Sequence, residues 1–313
     1  MKLLLTGGRG MVGSSFLRQI KEHKPEWHVL SPTREQLDLT QQGQVRSFLS
    51  KNPVDCVIHA AAKVGGIKNN AANLAEFLVE NTLININLIQ ESFESGVKNL
   101  INLGSSCMYP KNFSGLLKEE DILGGHLEPT NEGYALAKIS AERLCRYLSE
   151  KYGVQYKTII PCNLYGKGDR YDSKNGHLMA AIIEKTAKAL RSNLPQIEIW
   201  GTGEVRREFV YVDDLTDFVI ANLDRLREWP TCLNIGMGQD HTVNDYYQIA
   251  AKALGYTGTF VHNRTEPSGM THKLMDCTKA RAFGWTPTTA LEVGIAETYK
   301  DYLCQSKIDL LRT

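Results

Sequence analysis

The sequence predicts an α/β protein, a doubly wound parallel sheet with a smaller lobe attached. Two observations carry that expectation. Through residue 165, apolar runs of strand length alternate with segments of helical apolar spacing, as parallel strands with helical crossovers require. After Tyr165 the alternation breaks and turn residues become more frequent. A chain of 313 residues has room for both units.

The elements follow in order. KLLLTGG, residues 2–8, is a short apolar strand ending in glycine, and MVGSSFLRQIKEH, residues 11–23, has helical spacing. WHVLSP (27–32) predicts a strand, QGQVRSFLSKN (42–52) a helix and CVIHAAA (56–62) a strand. LAEFLVENTLININLIQESFESG (74–96) predicts a long helix closed by Gly96. KNLINLGSS (98–106) predicts a strand, EGYALAKISAERLCRYLSEKYG (132–153) a second long helix and YKTIIPCNLYG (156–166) a further strand. Residues 166–207 and 237–313 look less regular and are assigned to the smaller lobe. REFVYVDDLTDFVIANL (207–223) and CLNIGMG (232–238) are expected to cross back, so the larger unit spans 1–165 and about 208–236.

Composition narrows the function classes. Lys plus Arg total 36 against 35 for Asp plus Glu, with no basic block interleaved with aromatics, so no nucleic-acid surface is expected. MKLLLTGG has only three leucines before its glycines, too few for a signal-peptide core, and no run reaches membrane-spanning length. The seven cysteines form no CxxC pair, which suits reduced thiols in a cytoplasm and argues against zinc or any other metal.

TGGRGMVG places Gly7, Gly10 and Gly13 between the first strand and the first helix. Glycines there let the backbone approach a pyrophosphate held at the helix N-terminus; out of that context they would be an ordinary turn. A dinucleotide site preferring NAD usually has an acid about 20 residues later, on the ribose. Here Arg34 stands after the second strand and Arg9 lies in the glycine turn. Two guanidiniums suit a 2′-phosphate, which favours NADP(H), although Glu35 is a competing ribose partner and Arg34 alone would be only a solvated charge. Asp38 is placed to accept from an adenine amino group, or else to cap the next helix.

GYALAK puts Tyr134 and Lys138 four apart, on one helix face. A phenol is a poor acid near neutrality, and a neighbouring ammonium would lower its pKa. Tyr134 then becomes a proton donor to a ketone oxygen being reduced, with Ser105, at a strand's C-terminal edge, holding the same oxygen. Y-x-x-x-K alone is common on surface helices; the preceding glycine turn and serine give it weight.

The glycine turn, HAAA, Ser105, Tyr134-x-x-x-Lys138 and PCNLYG together resemble the extended short-chain dehydrogenase/reductases, which have a Rossmann domain. AAAKVGGIKNN, LGSSCMYPK, LEPTNEGYALAKI, NLYG, WGTGEVRREFVYVDD and LNIG resemble the GDP-fucose synthase family, along about residues 3–303. That resemblance implies epimerisation at C3 and C5 of a GDP-linked 4-keto-6-deoxy sugar, then NADPH-dependent reduction at C4. Inversion beside a ketone needs a base on one face and an acid on the other. The resemblance gives those roles to Cys107, in the SSC element, and His177, in KNGHLMAA. Read alone, each would be a small turn residue or a helix-start residue. The other six cysteines read as core or surface thiols.

By the same resemblance Met11, Val12, Leu39, Ala60, Ala61, Ala62, Pro161, Asn163, Leu164 and His177 accompany the glycines, Arg9, Arg34, Asp38 and Lys138 at the cofactor. Val64, Gly65, Ser106, Asn163, Lys185, Trp200, Gly201, Arg207 and Lys273 face the substrate. Asn163, Lys185 and Arg207 would otherwise be solvated or ion-paired. Asn81 would order a proton-relay water, hold the catalytic loop or simply face solvent. The two long helices resemble those of a four-helix dimer interface, so a homodimer is expected.

Two features depart from the family pattern. Gly133 stands where a proline usually precedes the tyrosine, and EPSGMTHK carries Glu266 and His272 at usually basic positions. The second change falls in the substrate lobe and leaves room for a 3-deoxy sugar, as in GDP-colitose synthesis, or for a GDP-4-keto-heptose reductase with or without epimerisation. An NAD-dependent nucleotide-sugar 4-epimerase and a non-catalytic NADP-binding scaffold are weaker readings. Arg9, Arg34, Cys107 and His177 oppose the first, and Tyr134 with Lys138 opposes the second.

Overall fold

The computed structural model describes residues 1–113, 115–172, 176–265 and 273–312. The chain runs β1 (Lys2–Thr6), α1 (Met11–His23), β2 (His28–Leu30), α2 (Gln42–Lys51), β3 (Cys56–His59), α3 (Ile67–Ala72), α4 (Leu74–Glu94), β4 (Asn99–Leu103), α5 (Glu132–Tyr152), β5 (Gln155–Pro161) and β6 (Asn163–Tyr165). It continues through α6 (Leu178–Arg191), β7 (Gln196–Trp200), β8 (Arg206–Arg207), β9 (Phe209–Tyr211), α7 (Val212–Asn222), β10 (Cys232–Ile235), β11 (His241–Thr242), α8 (Val243–Leu254), β12 (Thr259–Asn263), α9 (Thr278–Arg281) and α10 (Leu291–Arg312).

Six strands form one sheet in the order β10-β5-β4-β3-β1-β2, and every pairing in it is parallel. Strand alternation decides its layers. Leu3, Leu5, Ile58 and Ile101 enter one core, whereas Leu4, Val57 and Leu100 enter the core on the other face. All seven are fully buried, each contributing about 1.5–3 kcal/mol over exposure. Both faces are covered, so the strands read as continuous apolar runs. The doubly wound parallel sheet is the fold the alternation predicted.

A third core gathers Tyr165, Met179, Ile182, Ile183, Ile199, Tyr246 and Ile295 around α6, α8 and α10. Residues 166–207 and 237–313 are thus more regular than the sequence suggested. They hold these three helices, of 14, 12 and 22 residues. The signal was present: Met179, Ile182, Ile183 and Ala187 are spaced as one helical face, and all are buried. β10 pairs with β5, and Ser15 and Arg18 of α1 bond Asp213 of α7.

Helices α4 and α5 lie side by side, and their approach explains Gly133. A Cβ there would stand 2.2 Å from the Leu74 carbonyl oxygen, so the first turn of α5 can press against α4 only without a side chain. Gly96 closes α4 with φ +81°. Among the described residues, no helix is long and apolar enough to cross a membrane.

Candidate functional site

Strand order reverses at β1, which lies between β2 and β3. Ligands of open α/β sheets bind beyond the strand C-termini at such a switch point. There β1 runs into Gly7, with φ +77°, where a Cβ would meet the Ala60 carbonyl at 2.7 Å. A Cβ on Gly13 would stand 2.1 Å from Gly7 O, so the turn closes only with glycine at both places. Gly10 caps α1 without a side-chain hydrogen bond, and the first turn of α1 carries no acidic residue. Its N–H groups are left to an anion. This cradle fits a dinucleotide pyrophosphate.

Beyond the cradle, Arg9 lies 3.7 Å from Glu35 and Arg34 lies 3.0 Å from Glu80, with both arginines largely exposed. Glu35 is held below its ordinary pKa, first by a hydrogen bond from Thr33 and also by both arginines. Asp38 does not cap α2. Its carboxylate accepts from Thr40 N and Oγ1, and Gln41 stands at the N-cap position, because the Asx turn at Asp38 ends before the helix begins. Leu39 packs its side chain into the core, and its carbonyl accepts from Asn87.

A cleft of about 500 Å³ opens at this edge, with Met11, Val12, Ala60 and Ala62 at one end. Ala61 instead turns toward the core, its N–H donating to Thr6. Val64 and Gly65 line the cleft beside α3, a helix the sequence did not predict. Asn81 is fully buried and does not face solvent. It holds this loop, accepting from Lys63 N and donating to Lys63 O.

At the centre, Ser105 caps a 3-10 turn over Ser106–Met108, its Oγ accepting from Cys107 N at 3.3 Å. The turn brings Ser105, Ser106 and Cys107 into the cleft opposite Tyr134 and Lys138 of α5. Lys138 is 2% exposed and donates to the Leu103 carbonyl at 2.6 Å, and burial lowers its pKa to about 8. Its Nζ lies 5.9 Å from the Tyr134 ring centre. The expected lowering of the phenol does not occur in this arrangement. Burial pushes Tyr134 up, Cys107 adds to that, and a hydrogen bond with Ser105 opposes it. Desolvation of the phenolate outweighs the hydrogen bond with Ser105.

His177 precedes α6 and faces the same cleft. Its Nδ1 lies 3.5 Å from Asp169 Oδ1, and that hydrogen bond holds the imidazole above its usual pKa. Pro161, Asn163 and Leu164 line the floor, with the Asn163 amide donating to Glu208 O. At the far end stand Lys185, Trp200, Arg207 and Lys273. Lys68 and Lys185 place their ammoniums 4.6 and 5.0 Å from the Trp200 ring centre. Burial lowers both Arg207 and Lys273, with Cys107 pulling Lys273 the other way. Gly201, with φ +69°, makes its turn outside the lining, its N–H donating to Asn263. Glu266 and His272 lie outside the described residues.

Several lining residues carried no role in the sequence reading: Lys68, Asn70, Glu128, Asn131 and Tyr247. Four of them lie in GGIKNN and EPTNEGY, segments notable in the sequence only for their likeness to relatives.

The sequence pattern described as the NAD dependent epimerase/dehydratase family matches residues 3–236. The chain belongs to that family. Within the epimerase/dehydratase family it is 44% identical to a GDP-L-colitose synthase of Yersinia pseudotuberculosis, covering 99% of this chain and 100% of that one. It is 43% identical to a GDP-L-fucose synthase of Azorhizobium caulinodans, over 98% of both. A GDP-mannoheptose C4 reductase from Campylobacter jejuni, solved with NADP bound, superposes with a TM-score of 0.87 at 31% identity, covering 96% of this chain and 98% of that one.

His177 supplies a test of the electrostatics. In Asp169→Asn the raised His177 pKa should fall, because the charged acceptor is gone while burial remains. The imidazolium is then lost at lower pH, which NMR titration of the ring proton would show; an unmoved midpoint would remove Asp169 as the cause.

Proposed function

We propose that this protein epimerises C3 and C5 of a GDP-linked 4-keto-6-deoxy sugar and reduces C4 with NADPH, yielding GDP-L-fucose or a close relative. One observation carries the reading: Cys107 and His177 open onto the same cleft as Ser105, Tyr134 and Lys138. A plain reductase has no use for the first two. The full-length similarity to GDP-L-fucose and GDP-L-colitose synthases supports the substrate class.

The glycine turn and the α1 N-terminus would hold the cofactor pyrophosphate, with Arg9 and Arg34 swinging from Glu35 and Glu80 to a 2′-phosphate. Exposed ion pairs are worth only about 0–1 kcal/mol, so their exchange costs little. Bound NADPH supplies the hydride for C4. Ser105 and Tyr134 hold the ketone oxygen, and Tyr134 gives it a proton. Because the phenol is held protonated, it is loaded as a donor. Lys138, near 8, is positioned to keep the charge balance as that proton leaves. Cys107 and His177 serve the two faces of the carbons beside the ketone, and Asp169 favours the charged form of His177, which suits it as the acid. Lys185, Arg207 and Lys273 would meet the diphosphate.

The same reading divides the chain into an NADP-binding unit of 1–165 and about 208–236, and a sugar-nucleotide lobe of about 166–207 and 237–313. The separate core around α6, α8 and α10 supports the division. The cysteines are free thiols, which suits the reducing cytoplasm we assign. A second reading, a 3-deoxy sugar substrate, is favoured by the 44% identity to the colitose synthase. In such a sugar C3 carries two hydrogens, so only C5 can be inverted. NMR of the product from each GDP-4-keto sugar separates the two.

Arg34→Ala should raise KM for NADPH by about 10- to 150-fold, the loss of a charge-assisted hydrogen bond, while KM for NADH barely moves. Equal losses would sink the NADP assignment. In heavy water, Cys107→Ser should stop deuterium entering C3 and C5 yet still reduce C4 slowly, whereas Tyr134→Phe should stop reduction and leave NADPH binding intact. Exchange at the wild-type rate in Cys107→Ser would return the cysteine to a packing role. The outward face of the α4–α5 pair leaves Val79, Leu83, Leu136 and Tyr147 exposed, and we assign it to a homodimer. Light scattering at micromolar protein should give twice the chain mass, and a monomeric mass would refute the assignment.

A further inference from the structure

We propose that Asn131 is a positioning residue for Cys107, holding the sulfur in place and stabilising its anion by donating a hydrogen bond. The inference rests on the acid–base role proposed for Cys107.

Asn131 is the N-cap of α5. An asparagine there normally turns its side chain back to accept from the first helical N–H groups. This one makes no cap hydrogen bond. Its Nδ2 donates instead to Cys107 Sγ, at 3.2 Å. The cost is visible at the other end of the amide, where Oδ1 is buried without a hydrogen-bond partner among the described residues. An orphaned buried acceptor and a forgone cap both work against folding. The contact they allow is the donor on the sulfur. A thiolate accepts from an N–H far more strongly than a thiol does, so the bond selects the anion.

The geometry is built from two directions. Ser105 Oγ holds the Cys107 N–H from the 3-10 turn, and Asn131 holds the sulfur from α5. The backbone ahead of Asn131 is tied as well, its N–H donating to Glu128 O at 3.1 Å. The charged and titratable groups sharing the cleft with this sulfur include Tyr134, Lys138, Glu128, His177, Arg207 and Lys273, with Lys68, Cys162, Lys185 and Tyr247 also in its lining. Substitution at 131 leaves all of them in place, so their influence is common to every variant.

Asn131→Ser and Asn131→Asp test the proposal on the full-length protein. Both residues are good N-caps, so α5 should keep its stability, checked by thermal melting. Serine is too short to reach the sulfur, and aspartate presents a charge that opposes the anion. The rate of iodoacetamide alkylation at Cys107 is followed against pH, with peptide mass spectrometry separating it from exposed Cys304. The midpoint should rise in Asn131→Ser, and further in Asn131→Asp. Deuterium entry into the sugar at pH 7 should fall about ten-fold per pH unit of that rise, while the Kd for NADPH stays unchanged. A wild-type alkylation midpoint in both folded variants overturns the proposal. Alkylation needs no substrate, so a raised midpoint with undiminished exchange supports the hold on the sulfur and removes Cys107 from the chemistry.

Discussion

A single line of buried hydrogen bonds joins the two halves of the cleft. Ala61 N donates to Thr6 Oγ1, Thr6 Oγ1 meets His59 Nδ1 at 2.8 Å, His59 Nε2 meets Asn85 Oδ1 at 3.0 Å, and Asn85 Nδ2 donates to Ala137 O at 3.1 Å. Asn85 donates onward, so its oxygen must accept, which places the proton of His59 on Nε2 and makes Thr6 the donor to Nδ1. Burial, aided by Lys138, keeps this histidine neutral, with its pKa pushed down to about 3. The line runs from β1 and β3, which carry the glycine cradle, through α4 to the turn of α5 that carries Lys138. Removing any member would leave its neighbours desolvated and unpaired.

That constraint shapes how Lys138 and Tyr134 are held. Lys138 cannot drift, since its ammonium is fixed on Leu103 O and the preceding backbone carbonyl, Ala137 O, is fixed on Asn85. Tyr134, one turn earlier, is thereby held against the turn at Ser105. The arginines at the nucleotide end and the cations around Trp200 are differently placed. They sit on loops and helix surfaces, paired with carboxylates or stacked on an indole, and can be redirected at little cost. A rigid centre is thus set between adaptable ends.

Much of this was legible from residue types. The alternation of Leu3, Leu4 and Leu5 between two cores is a period-two signal, and Gly7 and Gly13 declare a turn closed to side chains. Ser105, Tyr134 and Lys138 could be placed together because strand ends and one-turn spacings are local facts. What escaped depends on distant contacts. Asp38 was read against a helix that begins three residues later than a cap requires. The Tyr134 phenol was expected to be lowered by Lys138, because a sequence does not show the burial that pushes it up. Asn131 had no role in the sequence reading, and only its distance to Cys107 shows where its amide is turned. The helices α6, α8 and α10 were missed although their apolar stripes are present, since turn-rich segments between them masked the period.

The parallel pairing of β10 with β5 has a consequence for synthesis of the chain. The sheet edge at β5 is completed by residues 232–235, some seventy positions after β5 ends. Until that stretch leaves the ribosome, the backbone donors and acceptors on that side of β5 have no strand to meet. Everything between, including β6, α6 and β9, emerges first. The nascent N-terminal portion therefore carries an open apolar edge through much of translation, where another chain can pair with it. Closure across so long a loop makes the last strand the slow one to arrive. The buried Lys157, whose ammonium donates to Trp229 O, fastens the same edge just before β10 begins, and it also puts an unpaired charge on β5 while the edge is bare.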